Sequence, residues 1–258
     1  MVSRLRAERA TLGYGGRTVA EDLTVDVPEG AFTAVVGPNA CGKSTLLRAL
    51  VRQLDPSSGT VTLDGRPVGV WKARAFARAV AFLPQDPVAP EGETVRRLVG
   101  RGRFPHQRPW ALWSPADAEA VEGALVAAGV SELADRGVAE LSGGQRQRVW
   151  IAMVLAQETS HLLLDEPTSF LDLRHQYEVL SLLARLRDEG RTVVAVLHDV
   201  NQAARYADHV IALRDGAVVA AGPPGEVIDA ALVERVFDLP ALVVPDPVTG
   251  TPMVVPRV

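Results

Sequence analysis

The residues best suited to chemistry lie in the loop Gly37–Thr45, which reads Gly-Pro-Asn-Ala-Cys-Gly-Lys-Ser-Thr. The apolar, β-branched run at residues 31–36 predicts a buried strand before the loop, and the leucine spacing after it predicts a helix. The two glycines let successive backbone N–H groups point at phosphate oxygens, above the positive end of that helix. Lys43 adds a charge for the β- and γ-phosphates, and Ser44 offers a hydroxyl to Mg²⁺. The loop therefore predicts a nucleoside triphosphate site.

A second glycine-bearing helix start occurs at residues 141–148, which read Leu-Ser-Gly-Gly-Gln-Arg-Gln-Arg. A serine hydroxyl and glycine amides at a helix N-terminus form another anion site. A single nucleotide site needs only one such helix start, so the sequence predicts a second set of phosphate contacts.

Two acids and a histidine follow further predicted strands. The apolar run His161–Leu164 delivers Asp165 and Glu166 at its end. Adjacent acids at such a place are typical of sites that serve a cation or a proton transfer. In phosphoryl transfer one acid helps to hold Mg²⁺ while a second residue orients or deprotonates water. His198 leaves the next core strand and can bond a γ-phosphate or the attacking water.

The elements that position these residues alternate between strand and helix, which predicts a mostly parallel sheet covered on both faces. Ligands of such sheets bind at the carboxyl ends of the strands. The residues that fall at these ends are Gly37, Gln85, Asp165 and His198. Tyr14 lies in a Gly-Tyr-Gly-Gly turn, where its ring either packs against the turn or stacks on a nucleotide base.

The stretch from residue 86 to about residue 149 differs in character, because it is proline-rich and predicts a mostly helical insertion. One helix opens at Ser114-Pro115, with a cap, a proline at the first position and an acid three residues after the serine. Leu125 and Val126 continue its apolar face. The insertion also carries a basic cluster, which is either a solvated face or a docking surface for an acidic partner loop or lipid headgroups. Its members are Arg96, Arg97, Arg101, Arg103 and Arg108.

Composition limits the function classes. The chain has 258 residues, of which 47% are hydrophobic, enough for a sizeable core. A net charge of −4 argues against a nucleic-acid footprint over the whole surface. A single cysteine excludes an internal disulfide and suggests an intracellular chain. No apolar run reaches the roughly 18 residues of a membrane span, and the first residues lack a signal-peptide core.

The whole pattern resembles the ATPase subunit of an ATP-binding-cassette (ABC) transporter, over nearly the full length of the chain. Gly37–Thr45 matches the Walker A loop of that family, residues 141–145 match its LSGGQ signature, and residues 162–166 match Walker B. The other matches are Tyr14 to the adenine-stacking aromatic, Gln85 to the Q-loop glutamine, residues 169–172 to the D-loop and His198 to the switch histidine.

This resemblance implies a fold and a division of the chain. The fold is an α/β, RecA-like P-loop NTPase core with a mostly parallel sheet, an N-terminal antiparallel β subdomain and a helical subdomain. We expect residues 1–85 and 150–220 to form the catalytic core with its β subdomain. Residues 86–149 then form the helical signature subdomain, and residues 221–258 form a C-terminal extension of one ATPase domain.

The mechanism that the resemblance implies uses two copies of the chain, arranged head to tail, with ATP held between Walker A of one copy and the signature of the other. Glu166 acts as general base on water, and His198 steadies the γ-phosphate. The implied catalytic positions are Lys43, Gln85, Glu166 and His198, and the Mg²⁺ positions are Ser44, Gln85 and Asp165. The implied nucleotide-binding positions are Tyr14, Gly37, Pro38, Asn39, Ala40, Cys41, Gly42, Lys43, Ser44, Thr45, Ser142, Gly143, Gly144, Gln145 and Asp172.

Three stretches resemble the branch of the family that powers import of iron(III)-siderophore complexes: residues 100–107, 168–176 and 246–252. Importers of haem and cobalamin share parts of this pattern and remain alternatives. The resemblance implies separate permease subunits in the membrane, a substrate-binding protein that acts through them, and a peripheral position on the cytoplasmic face. It implies no nucleic-acid partner. The cargo would not touch this subunit, so its identity rests on analogy.

Other protein classes also use this cassette. DNA-repair and chromosome-maintenance ATPases usually carry a long coiled-coil insertion or strongly basic surfaces, and the sequence has neither a heptad run nor a positive net charge. A regulatory module without catalysis would not need Glu166 and His198. A two-cassette translation factor would need a longer chain.

Overall fold

The computed structural model describes residues 3–107 and 113–257, so Arg108 and Pro109 lie outside the described residues. The strands are β1 (Ser3–Tyr14), β2 (Arg17–Pro28), β3 (Phe32–Val36), β4 (Ser58–Leu63), β5 (Arg66–Pro67), β6 (Val80–Leu83), β7 (His161–Leu164), β8 (Thr192–Val196), β9 (His209–Arg214), β10 (Ala217–Gly222), β11 (Ala241–Pro245) and β12 (Pro252–Pro256). The helices are α1 (Lys43–Leu50), α2 (Ala73–Ala79), α3 (Val95–Gly100), α4 (Pro115–Ala127), α5 (Gly143–Leu155), α6 (Leu173–Asp188), α7 (Val200–Tyr206), α8 (Pro224–Val227) and α9 (Ala230–Phe237).

The described residues form two compact units. The first contains the described residues up to Trp71 and those from Ala184 onwards, and the second contains Lys72–Leu183. In the first unit, an antiparallel sheet has the strand order β2-β1-β4-β5. Its β2 alternates, with Leu23, Val25 and Val27 buried and Thr24 and Asp26 between them exposed.

A second sheet of the first unit positions the phosphate loop. Here β3 lies between β9 and β8 and is parallel to both, while β10 is antiparallel to β9. Every residue of β3 and β8 is buried, as expected for parallel strands covered on both faces. The backbone N–H of Leu197 bonds the carbonyl of Val35 at 3.0 Å, so the carboxyl ends of β3 and β8 lie side by side.

In the second unit, β6 and β7 form a parallel pair in which Leu83 lies opposite Leu164. Helix α5 packs against α3 and α4 around a core that includes Leu98, Leu125 and Ile151. Helix α4 opens with the predicted capping box: the Ser114 hydroxyl accepts from the N–H of Asp117, and the Asp117 carboxylate accepts from the N–H of Ser114.

Two interpretations of this helical region need correction. Leu125 is fully buried, but Val126 is 69% exposed, because adjacent helical residues point about 100° apart and only one can face the core. Arg103 does not join a solvated basic face: its guanidinium is buried and pairs with Asp117 at 3.0 Å and Glu158 at 2.5 Å. Burial of a charge requires such partners.

The other described arginines of the cluster, Arg96, Arg97 and Arg101, are exposed but partly neutralised. Arg96 pairs with Glu122, and Arg101 pairs with Glu93 at 2.9 Å. None of the helices in the described parts of the chain is long and apolar enough to cross a membrane.

Candidate functional site

The loop between β3 and α1 has the backbone that the glycine pattern predicts. Gly42, which precedes α1, has a φ of 104°, in the left-handed region. A side chain at Gly37 would also meet the chain, since a Cβ there would lie 2.1 Å from the carbonyl oxygen of Leu213. Ala40 adopts a φ of 62°, which costs an L residue more than it would cost glycine. No side-chain hydrogen bond caps the start of α1.

Lys43 lies inside this loop. Its side chain is buried, and its ammonium donates to the carbonyls of Gly37 at 2.8 Å and Pro38 at 2.7 Å. The same nitrogen is 4.0 Å from the sulfur of Cys41. Burial raises the pKa of the Cys41 thiol, and this outweighs the opposing effect of Lys43. Cys41 is therefore a buried thiol that packs in the loop.

Tyr14 is the last residue of β1, and its ring is 44% exposed. Its hydroxyl accepts a hydrogen bond from Arg48 of α1 at 3.3 Å. The aromatic ring is thus tied to the helix that starts at the phosphate loop, and it keeps an open surface.

His198 follows β8 and is exposed. Because β3 and β8 are parallel neighbours, His198 and the phosphate loop leave the sheet at the same edge. Asp199, the next residue, caps α7 by accepting from the N–H groups of Asn201 at 2.7 Å and Gln202 at 3.2 Å.

Asp165 and Glu166 follow β7 in the second unit, where they differ in environment. Asp165 is buried, and its N–H bonds the carbonyl of Leu83 at 2.9 Å. Glu166 is half-buried with a φ of 53°. One of its carboxylate oxygens accepts hydrogen bonds from Gln85 Nε2 at 2.7 Å and from Ser169 Oγ at 2.8 Å. Two side chains therefore fix the orientation of this carboxylate.

A cavity of about 250 Å³ opens beside Glu166 within the second unit. Its lining includes Gln85, Gly143, Trp150 and Phe170. The predicted base, the Q-loop glutamine and the first glycine of the second helix start thus face one space.

The start of α5 is capped by its own side chains. Ser142 accepts from the N–H of Gln145 at 3.3 Å, and the Gln145 side chain accepts from the N–H of Ser142 at 3.1 Å. A Cβ on Gly143 would meet only open space and an ordinary neighbour at 3.9 Å. A Cβ on Gly144 would lie 2.6 Å from the ring of His175.

His175 is itself held by Asp172. One Asp172 oxygen bonds both the backbone N–H of His175, at 2.9 Å, and its ring Nδ1, at 2.7 Å. The hydrogen bond from the His175 backbone is the main cause that lowers the pKa of Asp172. Asp172 of the predicted D-loop therefore holds the His175 ring, and this ring lies beside Gly144 at the start of α5.

Comparison with known proteins decides the family. The model of the family described as "ABC transporter" matches residues 20–169 of this chain, more than half of its length. The chain belongs to the ABC transporter family. Solved structures of ABC cassettes share the architecture of this chain. The fold is therefore that of an α/β P-loop NTPase with an antiparallel N-terminal sheet and a helical part.

Several ABC proteins are similar over almost the full chain. The ferric enterobactin transport ATP-binding protein FepC of Escherichia coli K12 is 54% identical over 99% of this chain and 94% of its own length. The probable siderophore transport system ATP-binding protein YusV of Bacillus subtilis is 49% identical over the same shares. The hemin import ATP-binding protein HmuV of Rhodococcus jostii is less similar, at 44% identity over 98% of this chain and 86% of its own length.

Among solved structures, the dimeric bacterial ABC transporter cassette MJ0796 has a TM-score of 0.74 at 27% identity, over 85% of this chain and 98% of that chain. ABC cassettes bind and hydrolyse ATP, form dimers and work with a membrane permease. The first unit of this ABC ATPase contains the Walker A loop, Tyr14 and His198. The second unit contains Gln85, the Walker B acids and the signature.

Ser169 bonds the Glu166 carboxylate, although the sequence assigns it no role beyond its place in the D-loop match. It lies in the D-loop, and the sequence offers no separate sign that its hydroxyl bonds Glu166 rather than solvent. The signal that could have found it is spacing, because a turn after Glu166 returns the residue three positions later to the same carboxylate.

Proposed function

We propose that this ABC ATPase powers the import of iron(III)-siderophore complexes through a separate permease. The observation that carries the catalytic part is the Glu166 carboxylate, held by Gln85 and Ser169 next to the buried Asp165. The cargo part is supported by the 54% identity to a ferric enterobactin transport subunit over 99% of the chain. The lower identity to a hemin importer makes hemin the weaker choice.

In the proposed mechanism, the amides of Gly37–Thr45 and the Lys43 ammonium bind the phosphates. The Lys43 side chain already lies along the loop, so the ammonium exchanges carbonyl partners for phosphate oxygens without a large movement. Tyr14 stacks on the adenine, and His198 bonds the γ-phosphate from the end of β8.

Glu166 acts as the general base that takes a proton from the attacking water. Its two hydrogen-bond donors hold it in one orientation before the substrate arrives, which lowers the cost of reorganisation. Gln85 and Ser169 are therefore positioning residues for the base.

We assign the Mg²⁺ ion to Ser44, Gln85 and Asp165. Mg²⁺ prefers oxygen ligands and is usually bound by one or two carboxylates together with substrate phosphates. The residues fit this preference: Asp165 is a buried carboxylate, and Gln85 donates through its nitrogen, which leaves its oxygen as the ligand atom. When bound, the ion neutralises the charge that develops on the phosphates.

We further propose that two copies of the chain close head to tail over ATP. The start of α5, with Ser142, Gly143 and Gly144, then supplies the second set of phosphate contacts, and Gln145 and Asp172 complete the nucleotide-facing set. This arrangement explains why one chain carries two anion-binding helix starts.

Residues 86–149 form the proposed helical signature subdomain, where the permease docks. A cavity of about 650 Å³ supports this placement, because its lining contains the exposed aromatic rings of Phe104 and Trp113, with Arg97 and Arg101 at its rim. Exposed apolar patches with a charged rim are typical of protein-binding sites. The proposed complex places the subunit on the cytoplasmic face of the membrane, and a substrate-binding protein reaches it through the permease.

The test is iron uptake in cells that lack this protein. We expect restored uptake of a labelled ferric siderophore when the native chain is supplied, no restoration with Glu166→Gln, and no effect of either chain on labelled hemin uptake. Restored hemin uptake without siderophore uptake would contradict the cargo. Full restoration by Glu166→Gln would contradict the base.

A further inference from the structure

The C-terminal hairpin is joined to the helix that follows the switch histidine. Strands β11 and β12 are antiparallel, with Val243 opposite Val254. The N–H of Val254 donates to Oδ1 of Asn201 at 2.7 Å, and Nδ2 of Asn201 donates to the carbonyl of Val254 at 3.1 Å. A single side chain on α7 therefore pairs with the outer edge of β12 as a neighbouring strand would.

A second connection lies one helical turn further along α7. Arg205 donates to Oδ2 of Asp246 at 2.7 Å. Asn201 and Arg205 are four residues apart, so both lie on the same face of α7. The hairpin thus holds this helix at two points rather than one.

The turn of the hairpin is formed by the sequence Asp246-Pro-Val-Thr-Gly-Thr-Pro. The other carboxylate oxygen of Asp246 accepts from the N–H groups of Val248 at 2.8 Å and Thr249 at 3.1 Å. Gly250 closes the turn with a φ of 72° and donates to the Asp246 carbonyl at 2.8 Å. These hydrogen bonds, first that from Val248, lower the pKa of Asp246, so the carboxylate stays charged opposite Arg205 at neutral pH.

Helix α7 connects the hairpin to His198. The helix begins at Val200, and Asp199 caps it through the N–H of Asn201, the same residue whose side chain bonds β12. Only Asp199 separates the helix from His198. The position of the first turn of α7 therefore determines the position of the His198 backbone, from which the imidazole extends.

We propose that the C-terminal hairpin positions His198 for ATP hydrolysis, with Asn201, Arg205 and Asp246 as positioning residues that touch neither ATP nor the attacking water. This inference rests on the proposed role of His198. The hairpin is then a part of the catalytic apparatus, and residues 246–252 serve the position of His198 rather than the choice of cargo.

Two variants isolate the connections. Asn201→Ala removes both hydrogen bonds to Val254. Asp246→Asn keeps an oxygen that can accept from Val248 and Thr249 but removes the charge that Arg205 requires. Arg4→Ala is the control, because it removes only exposed ion pairs, with Glu29 and Asp64, beside the N-terminal sheet of the same unit.

The measurement is the steady-state ATPase rate of the full-length chain over a range of ATP concentrations. We expect Asn201→Ala and Asp246→Asn to lower kcat about fivefold to tenfold, with KM for ATP changed less than twofold and Arg4→Ala unaffected. In a His198→Ala background, each variant should lower kcat by less than a further factor of about two, because residues that act through one group are not additive.

An unchanged kcat in both variants would overturn the inference and leave the hairpin a stability element only. Equal losses in the His198→Ala background would also overturn it. If Asn201→Ala does not fold, Asp246→Asn, which keeps the turn, decides alone. A normal kcat in His198→Ala itself would overturn the proposed role of His198 and this inference with it, whereas loss in His198→Ala without loss in the two variants overturns only the inference.

Discussion

The N-terminal starts of helices α1 and α5 differ in whether a side chain caps them. At α1, Gly42 has left-handed backbone geometry, and no side chain caps the helix. At α5, Ser142 and Gln145 form a complete capping box. The α1 start therefore has no cap from a side chain, while the α5 start is closed by its own side chains. In the proposed function, the α1 start binds the phosphates of ATP, and the α5 start contacts them from the other copy of the chain.

The largest expected effect comes from a change that removes hydrolysis and leaves both helix starts intact. Glu166→Gln should lower kcat by about 10²- to 10⁴-fold, because a general base contributes on this scale. ATP binding should persist, since neither helix start changes, and the variant should accumulate as an ATP-bound dimer in size-exclusion chromatography with light scattering. Glu119→Gln, on the exposed face of α4, is the matched control. Normal turnover in Glu166→Gln would remove it from the base role.

The next effect tests the α1 start alone. Lys43→Ala should weaken ATP binding to the isolated chain about 10- to 100-fold, because it removes charge-assisted hydrogen bonds to phosphate. Titration of a fluorescent ATP analogue measures this affinity. Lys72→Ala, at the other lysine of the sequence, should bind normally. An unchanged affinity in Lys43→Ala would mean that the loop amides suffice.

The contrast can be sharpened at Gly144, where the α5 start contacts His175. In the Glu166→Gln background, Gly144→Ala should raise the ATP concentration needed for dimerisation about tenfold, because the new Cβ would lie 2.6 Å from the His175 ring. Adding His175→Ala should recover much of this loss by making room.

Gly123→Ala, where a Cβ meets nothing within 4 Å, is the control for a glycine change in a helix. If His175→Ala does not relieve Gly144→Ala, the methyl group acts on ATP itself rather than through the imidazole.

The smallest effect concerns the capping box, which the α5 start has and the α1 start lacks. Ser142→Ala should cost about 1 kcal/mol of unfolding free energy, the usual value of an N-cap. Ser114→Ala removes the equivalent capping box from α4 and should cost a similar amount. Urea denaturation measures both values. ATP-dependent dimerisation should weaken in Ser142→Ala but not in Ser114→Ala, and equal dimerisation in the two would contradict a phosphate-facing role of α5.

The sequence was sufficient for features that depend on neighbouring residues. The strand, loop and helix around Gly37 and the cap at Ser114 follow from local periodicity and capping chemistry. Hydrogen bonds between distant residues could not be predicted in this way. Gln85 meets Glu166 across 81 positions, and Asn201 meets Val254 across 53. Arg103 shows the same limit, since its burial depends on how α4 packs rather than on its own neighbours in sequence.

The most direct test of the shared site mixes two inactive chains. Lys43→Ala damages the α1 start, and Gly143→Asp places a carboxylate at the α5 start, where the open space around Gly143 accepts it without a clash. Each variant alone should be nearly inactive as an ATPase.

A head-to-tail pair of one Lys43→Ala chain and one Gly143→Asp chain contains one intact site and one doubly damaged site. An equal mixture should therefore recover about a quarter of the native ATPase rate, because half of the pairs are mixed and each has one of two sites intact. A mixture that stays as inactive as either variant alone, with both proteins folded, would contradict a nucleotide site built from two copies of the chain.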